Sequence, residues 1–458
     1  MRTNFSEAQL TNPDIAEANG ILETCVHYGF CTNTCPTYVL TGDENDSPRG
    51  RIDLIRAMLE RGGAPEPKTV YHLDRCLSCL TCMTTCAVKV DYAHLIDRAR
   101  SHIEQHYRRP WPDRLVRLLL AKLLPAPGPF LLVLRVARLA KHFARLLPRR
   151  LQALLDVIPP ARHQRPDILT PRVVAAEGPR RKRVALLAGC AQQAIDGAIN
   201  AASVRLLTRH ACEVVIARGA GCCGSLTLHM GREADARASA RANVRAWSRE
   251  LASGRLDAIV INASGCGTTV KDYGHLLARD PRWAEPARRV AALARDVSEI
   301  LRDVGLNAPT EPLAHRVAYH DPCSMQHGQR VTREPRDLLR AAGFHVVDVP
   351  ESHFCCGSAG TYNLLQPVMA EALGRRKAGH IASVDPDVVA TGNIGCMTQL
   401  RRYLAVPIVH TVELLDWATG GPRPPALADT VLRRPAQPAT APARPGTTSS
   451  SGGDVGFW

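Results

Sequence analysis

Through the first hundred residues, apolar positions recur at spacings of three and four, the period of helices with one buried face. Ile52, Ile55, Met58 and Leu59 form one such face. Ser47-Pro48 ahead of them reads as an N-cap followed by proline at the first helical position, and Gly62-Gly63 reads as the stop. Tyr92, Leu95, Ile96, Ala99 and Ile103 form a second face, in a helix that starts near Asp91. No strand alternation appears, so the pattern predicts an all-helical domain over 1–108. Residues 109–183 are a connector interrupted by Pro112, Pro125, Pro127, Pro129, Pro148 and Pro159-Pro160. Within it Phe130 to Leu147 is amphipathic: Leu132, Val136, Leu139, Phe143 and Leu146 line one side, and Arg135, Arg138, His142, Arg145 and Arg149 another. Such a helix either lays its apolar stripe on the core or lies as a basic helix on anionic lipid or a partner subunit.

From Val184 the pattern changes to short apolar runs alternating with helices, the mark of parallel α/β units. It also repeats. Cys190, Cys222 and Cys223 return as Cys323, Cys355 and Cys356, each 133 residues on, and Cys266 returns as Cys396, 130 residues on. Two tandem copies of one domain follow, over 184–305 and 306–420. Strands are expected at 184–188, 212–217 and 256–262 in the first copy and at 316–320, 344–349 and 387–391 in the second. Beyond Gly420 the chain is Pro, Ala, Ser, Thr and Gly, and the tail 421–458 is expected to be disordered.

Composition narrows the class. Over 458 residues, 45% hydrophobic and 22% charged residues exclude collagen-like, wholly disordered and multi-span membrane proteins. Sixteen cysteines, behind an opening MRTNFSEAQL that lacks the pattern of a secretory signal, point to the cytoplasm and to metal or redox chemistry. The net charge of +15 looks at first like a nucleic-acid signal. Yet 20 of the 58 basic residues and only 5 of the 43 acidic ones lie between Arg98 and Arg183, so one segment carries the whole excess. We therefore expect no nucleic-acid partner, and a peripheral contact of the connector with a membrane surface. No run of 18 apolar residues survives there to span a bilayer.

Cys76-x2-Cys79-x2-Cys82-x3-Cys86 is the spacing that gives three thiolates to one cubane iron-sulfur cluster and the fourth to another. Cys25, Cys31 and Cys35 repeat the frame, with Tyr28 where a cysteine is expected. Crossing the fourth ligands gives one site of Cys76, Cys79, Cys82 and Cys35 and another of Cys25, Cys31 and Cys86, one thiolate short. That second site could hold a [3Fe-4S] cluster, a [4Fe-4S] cluster with a fourth ligand such as Tyr28, or nothing stable. Four-cysteine zinc sites are the bland alternative.

In each repeat, the cysteines follow successive strands, so Cys190, Cys222, Cys223 and Cys266, and likewise Cys323, Cys355, Cys356 and Cys396, should converge at the carboxyl edge of a parallel sheet. These sets could bind metal, do thiol-disulfide chemistry or be inert. Cys212, inside a strand and without a counterpart, reads as core. His320, His327 and His353 flank the second set and could tune or ligate a metal, though hydrogen-bonded roles fit as well. Arg49 and Arg51 adjoin the first cluster motif, either raising a cluster's potential or facing solvent. No GxGxxG follows a strand, and no Walker loop or GxSxG is present, so flavin and nucleotide binding lack local support.

The segments GDENDSPRGRIDLI (42–55), HLDRCLSCLTCMTTC (72–86) and VDYAHLIDRAR (90–100), followed by two Cys-Cys-Gly (CCG) repeats, resemble the iron-sulfur subunits of glycolate oxidase, also called glycolate dehydrogenase. The resemblance runs from about residue 15 to 416. It implies an α+β multidomain chain, with an N-terminal all-helical ferredoxin-like domain holding two iron-sulfur sites ahead of two tandem α/β CCG domains. It implies also that separate FAD-binding subunits oxidise glycolate to glyoxylate while this chain, itself without flavin and with no catalytic residue, passes electrons toward the quinone pool. In the related heterodisulfide reductases the CCG cysteines bind an unusual iron-sulfur cluster, a role that would fall here on the eight repeated cysteines. Tyr28 departs from the family pattern, as do Ala87, which stands where proline is expected, Cys266-Gly-Thr-Thr and Cys396-Met-Thr-Gln, which lack a following cysteine, and the tail. Rival readings are the corresponding subunit of an anaerobic glycerol-3-phosphate dehydrogenase, a heterodisulfide-reductase-like thiol-disulfide enzyme, and a zinc scaffold.

Overall fold

The computed structural model describes residues 1–141, 166–428 and 430. The N-terminal part is helical, as its periodicity predicts. Ser47 caps the helix Pro48–Arg61 by accepting from the Gly50 amide at 3.0 Å, and Gly62 ends it. Asp91 caps the helix Tyr92–His106. Both expected apolar faces are buried, and together with Ala18, Leu22, Val70 and Leu73 they form one core. Cys25, Cys76 and Cys82 sit in that core, so the loops between helices are pinned from below by apolar contact.

Nine strands follow among the described residues. β1 (Arg172–Val174), β2 (Lys182–Leu186), β3 (Cys212–Ile216), β4 (Ala258–Ile261) and β5 (Ala294–Asp296) form a sheet ordered β1-β3-β2-β4-β5. β6 (Arg316–Tyr319), β7 (His345–Asp348), β8 (Val388–Thr391) and β9 (Ile408–His410) form the second, ordered β7-β6-β8-β9. All pairs are parallel except β1 with β3, where Val173 lies opposite Val215. The six expected strands are all present. β1, β5 and β9 go beyond the expectation: each is three residues long, too short for its periodicity to register, and joins a sheet edge through backbone pairing. Cys212 begins β3 fully buried, as its core reading requires.

The repeats are not packed as separate beads. One core runs through both, from Val184, Leu206 and Val214 to Val317, Leu339 and Leu414. Asp416, almost wholly buried, accepts from Arg205 and Arg209 across that junction.

The structure decides between two readings of the connector and corrects one of the tail. In the helix Pro127–Ala140 the stripe Leu132, Val136 and Leu139 does not face the core: these residues are 62%, 58% and 68% exposed, and Phe130 and Leu134 are buried instead. Sequence periodicity finds a stripe but not its partner, and the neighbouring packing partners Leu124 and Ala194 take the other face. The rest of that stripe and its basic side, with His142, Phe143, Arg145, Leu146 and Arg149, lie outside the described residues. The tail does not lose order at 421: Leu427 is fully buried, and the Arg423 guanidinium lies over the Trp417 ring. Of the tail, residues 429 and 431–458 lie outside the description.

Candidate metal centres

The two cysteine loops of the helical domain have the same backbone path. His27 and Gly29 in the first, Ser78 and Leu80 in the second, all have left-handed φ, at 57°, 84°, 48° and 62°. The turns that wind Cys76, Cys79 and Cys82 inward are thus reproduced around Cys25 and Cys31. Cys35, Cys76, Cys79 and Cys82 line one cavity, together with Arg51, Leu77, Leu80 and Tyr92. Burial, then Cys79, Cys76 and Cys35, push the Cys82 thiol well up, as expected of sulfurs gathered in a buried pocket.

The surroundings fit a thiolate-bound cluster. The Tyr92 hydroxyl donates to Cys76 Sγ at 3.7 Å, Thr81 to Cys79 Sγ at 3.5 Å, and Cys35 Sγ lies 3.2 Å from Thr37 Oγ1. Arg51 is 1% exposed beneath the cavity. Its guanidinium donates to the His72 carbonyl at 2.8 Å and to Thr37 at 3.0 Å, pairs with the buried Asp46 at 3.4 Å, and lies 3.9 Å from Cys35 Sγ. Burial opposes its charge, but the Cys76 thiol, Tyr92, Cys35 and Asp46 outweigh that and raise its pKa. Arg51 is thus buried beside these cysteines and does not face solvent. Arg49 instead pairs with Glu44 at 2.8 Å near the surface.

Cys25, Cys31 and Cys86 form the second group. Burial pushes the Cys31 thiol up to about 11, with Cys25 and then Cys86 adding to it. Tyr28 holds the backbone place of Cys79, yet its ring is 67% exposed and leans on Phe30, with centroids 6.1 Å apart. It turns to solvent, not toward the three sulfurs.

In the repeats the thiols converge at the carboxyl edges of the sheets, as strand geometry predicts. Cys190 links by hydrogen bond to Cys222, Cys222 to Cys223, and Cys223 to Cys266; Cys323, Cys355, Cys356 and Cys396 form the same chain. The Cys222 thiol is lowered because Cys190 and Cys223 both donate to it. The Gly224 and Ser225 amides point at Cys222 and Cys223 Sγ, at 3.4 and 3.5 Å, a backbone arrangement that suits anionic sulfur. The glycine after each pair is needed twice over. Gly224 and Gly357 have φ of 90° and 85°, and a Cβ would meet the carbonyl oxygens of Ala236 and Ala370 at 2.9 and 2.6 Å.

The sites adjoin one another. Cys79 and Leu77 share a buried cluster with Cys355 and Tyr362, against which Cys323 packs. The Thr81 hydroxyl shares its one proton between Cys79 Sγ and the His353 carbonyl at 3.1 Å, and Tyr362 donates to the Arg75 carbonyl at 3.1 Å. The two repeat sites meet through Ser264 and Ser324, whose hydroxyls are 2.7 Å apart beside Cys266 and Cys323. The first repeat touches the helical domain through ion pairs instead, among them Arg98 with Glu233 at 2.7 Å and His94 with Asp272 at 3.1 Å. The His94 ring, stacked on His275 at 3.5 Å, is lifted to about 10: burial opposes the shift and Asp272 and Asp91 drive it.

A double-cluster ferredoxin-type domain joined to two cysteine-rich α/β repeats defines an iron-sulfur electron carrier. Sequence comparison agrees: the 4Fe-4S dicluster domain matches residues 24–90, and the cysteine-rich CCG domain matches 184–271 and 317–401. The glycolate oxidase iron-sulfur subunit of Escherichia coli K12 is 40% identical over 422 residues, covering 91% of this chain and 99% of the relative. The probable glycolate oxidase iron-sulfur subunit of Bacillus subtilis 168 is 29% identical over 429 residues, covering 88% and 95%. Lactate utilization protein A of Oceanobacillus iheyensis is 25% identical over 241 residues, 51% of this chain and 96% of the relative. The chain belongs to the family of glycolate oxidase iron-sulfur subunits, and it is an iron-sulfur electron-transfer subunit of an oxidoreductase.

Proposed function

We propose that this chain takes electrons from FAD-binding subunits that oxidise glycolate to glyoxylate and delivers them to a quinone at the membrane. One-electron transfer is the chemistry that bound iron-sulfur clusters supply here. Cys35, Cys76, Cys79 and Cys82 would hold a four-iron cluster. Cys25, Cys31 and Cys86 would hold a three-iron cluster, since Tyr28 faces solvent. Cys190, Cys222, Cys223 and Cys266, and Cys323, Cys355, Cys356 and Cys396, would hold further iron. The observation that carries a continuous route is the packing of Cys79 with Cys323 and Cys355 in one buried cluster. Arg51 and the hydroxyls of Tyr92 and Thr81 stabilise negative charge on the sulfurs and so favour the reduced state.

The connector supplies the membrane contact in this reading. Trp111, Leu115, Leu118 and Leu119 are exposed on the helix Trp111–Leu123, beside the exposed stripe of the next helix and the basic residues Arg135 and Arg138. Anionic lipid suits that combination of apolar and basic groups. No helix among the described residues is long and apolar enough to cross a membrane. Flotation of the complex with anionic vesicles that is unchanged in high salt and after neutralising Arg135, Arg138 and Arg145 would sink this contact.

The central experiment is anaerobic purification with whatever flavin subunits accompany the chain, followed by metal analysis and EPR before and after glycolate. Flavin partners, an oxidised three-iron signal and cluster reduction by glycolate are expected. Reduction by glycerol 3-phosphate alone, disulfide reduction by the isolated chain, or zinc in place of iron would each overturn the assignment.

A further inference from the structure

The two repeats are alike in their cysteines but not in what surrounds them. At the end of β6 stands His320, 2% exposed. The matching position after β2, 133 residues earlier, is the buried Leu187. A ring nitrogen of His320 and the sulfurs of Cys356 and Cys396 all lie within 4.8 Å of one another, and among the described residues His320 Nε2 has no hydrogen-bond partner. An unpartnered buried imidazole is costly unless something fills its lone pair. Metal-sulfur and metal-nitrogen bonds of about 2.3 and 2.1 Å hold ligand atoms within roughly 4 Å of each other, so small side-chain shifts bring these three onto one metal.

A second difference points the same way. Gly224 abuts Ala236 and Gly357 abuts Ala370, and this register places Lys377 of the second repeat where the first has Asn243. Asn243 ties the first loop together, accepting from the Gly221 amide and donating to the Cys222 carbonyl, at 2.8 and 2.9 Å. Lys377, 2% exposed, donates to the Glu351 carbonyl and places an ammonium beside Cys355 and Cys356. The second site thus pairs a neutral nitrogen donor with a buried cation, and among the described residues the first site has neither.

We propose that His320 is an iron ligand in the second repeat, giving that centre a mixed imidazole and thiolate set while the first repeat binds through thiolates only. The inference rests on reading the second repeat as an iron-sulfur site. His320 adds a neutral donor without adding negative charge, and the buried Lys377 cation beside Cys355 and Cys356 raises the potential of that centre. The centre that packs against Cys79 would then be the stronger electron acceptor of the two repeat centres.

The test uses the full chain with its flavin partners, labelled with nitrogen-15 histidine, and pulsed EPR. A directly bound nitrogen gives a strong coupling that shifts with the label and disappears in His320→Ala. That loss, with most of the iron retained, is the expected result. The label on the unmutated chain gives the same information should His320→Ala fail to fold. Iron that falls in Cys356→Ser, with no histidine nitrogen coupling in the unmutated chain, overturns His320 as ligand and leaves the iron-sulfur reading standing. Iron unchanged in a folded Cys356→Ser chain, or zinc lost in its place, overturns both.

Discussion

The hydroxyl of Thr84 lies 2.8 Å from Nδ1 of His327, joining the short helix that carries Cys82 to the π-helical turn that follows Cys323. His327 Nε2 lies 3.1 Å from the His353 carbonyl. Burial lowers the His327 pKa to about 4, so the ring is neutral: Nε2–H donates to the carbonyl, and Nδ1 accepts from the Thr84 hydroxyl, whose one proton is shared with the Thr81 carbonyl at 2.9 Å. A neutral histidine thereby holds two cysteine loops some 240 residues apart in register.

Thr84→Val keeps the shape and strands Nδ1. A buried acceptor left unpaired costs about 1–3 kcal/mol. The expected outcome is a lower denaturation midpoint with unchanged iron content, because Thr84 touches no ligand sulfur. Wild-type stability would remove the hydrogen bond from the account of how these loops are held.

Arg51→Met removes the cation beneath the Cys35, Cys76, Cys79 and Cys82 cavity and leaves Asp46 with only Arg75 and His72. Breaking a buried ion pair by deleting one partner costs about 3–5 kcal/mol, and the remaining pairs hold the loss toward the lower end. The four-iron signal should titrate at a lower potential in a redox titration followed by EPR, since positive charge near sulfur favours reduction. Arg49→Met, at the surface, should change neither quantity.

Tyr28→Cys places a thiol on a loop whose left-handed residues at 27 and 29 already match those at 78 and 80. Iron should rise by about one atom per chain, and the oxidised three-iron signal should give way to a four-iron one. Iron analysis and EPR of the two proteins, prepared side by side, decide it. An unchanged spectrum would mean that the turn at 28 does not deliver its side chain to the site.

His410 bridges the two repeats. Its Nε2 donates to the Asn262 carbonyl at 2.9 Å while Nδ1 accepts from the Val412 amide at 3.2 Å, an arrangement only the neutral ring can make. Burial lowers its pKa to about 4. As pH falls below the ordinary value near 6.5, the unfolded chain binds a proton before the folded one does, so stability declines from there to about pH 4 and is undiminished above 6.5. Denaturation midpoints across that window should fall less steeply for His410→Gln than for wild type.

What was legible in the sequence follows from how far each signal reaches. Spacing of two and three residues between cysteines fixes which thiols share a loop, and a 133-residue repeat fixes that there are two sheets; local geometry suffices for both. The helix Tyr92–His106 was legible from its cap and its buried face for the same reason. The tertiary structure alone decided which side of Pro127–Ala140 meets the core, because an amphipathic pattern names a face and not its neighbour. It decided that Tyr28 turns outward although its backbone follows that of Cys79, and that three-residue β5 and β9 complete the sheets. It also set His320 against Cys356 and Cys396, and Cys79 against Cys323 and Cys355. Those pairings join segments tens to hundreds of residues apart, and only the shared cores that press the helices and sheets together determine them.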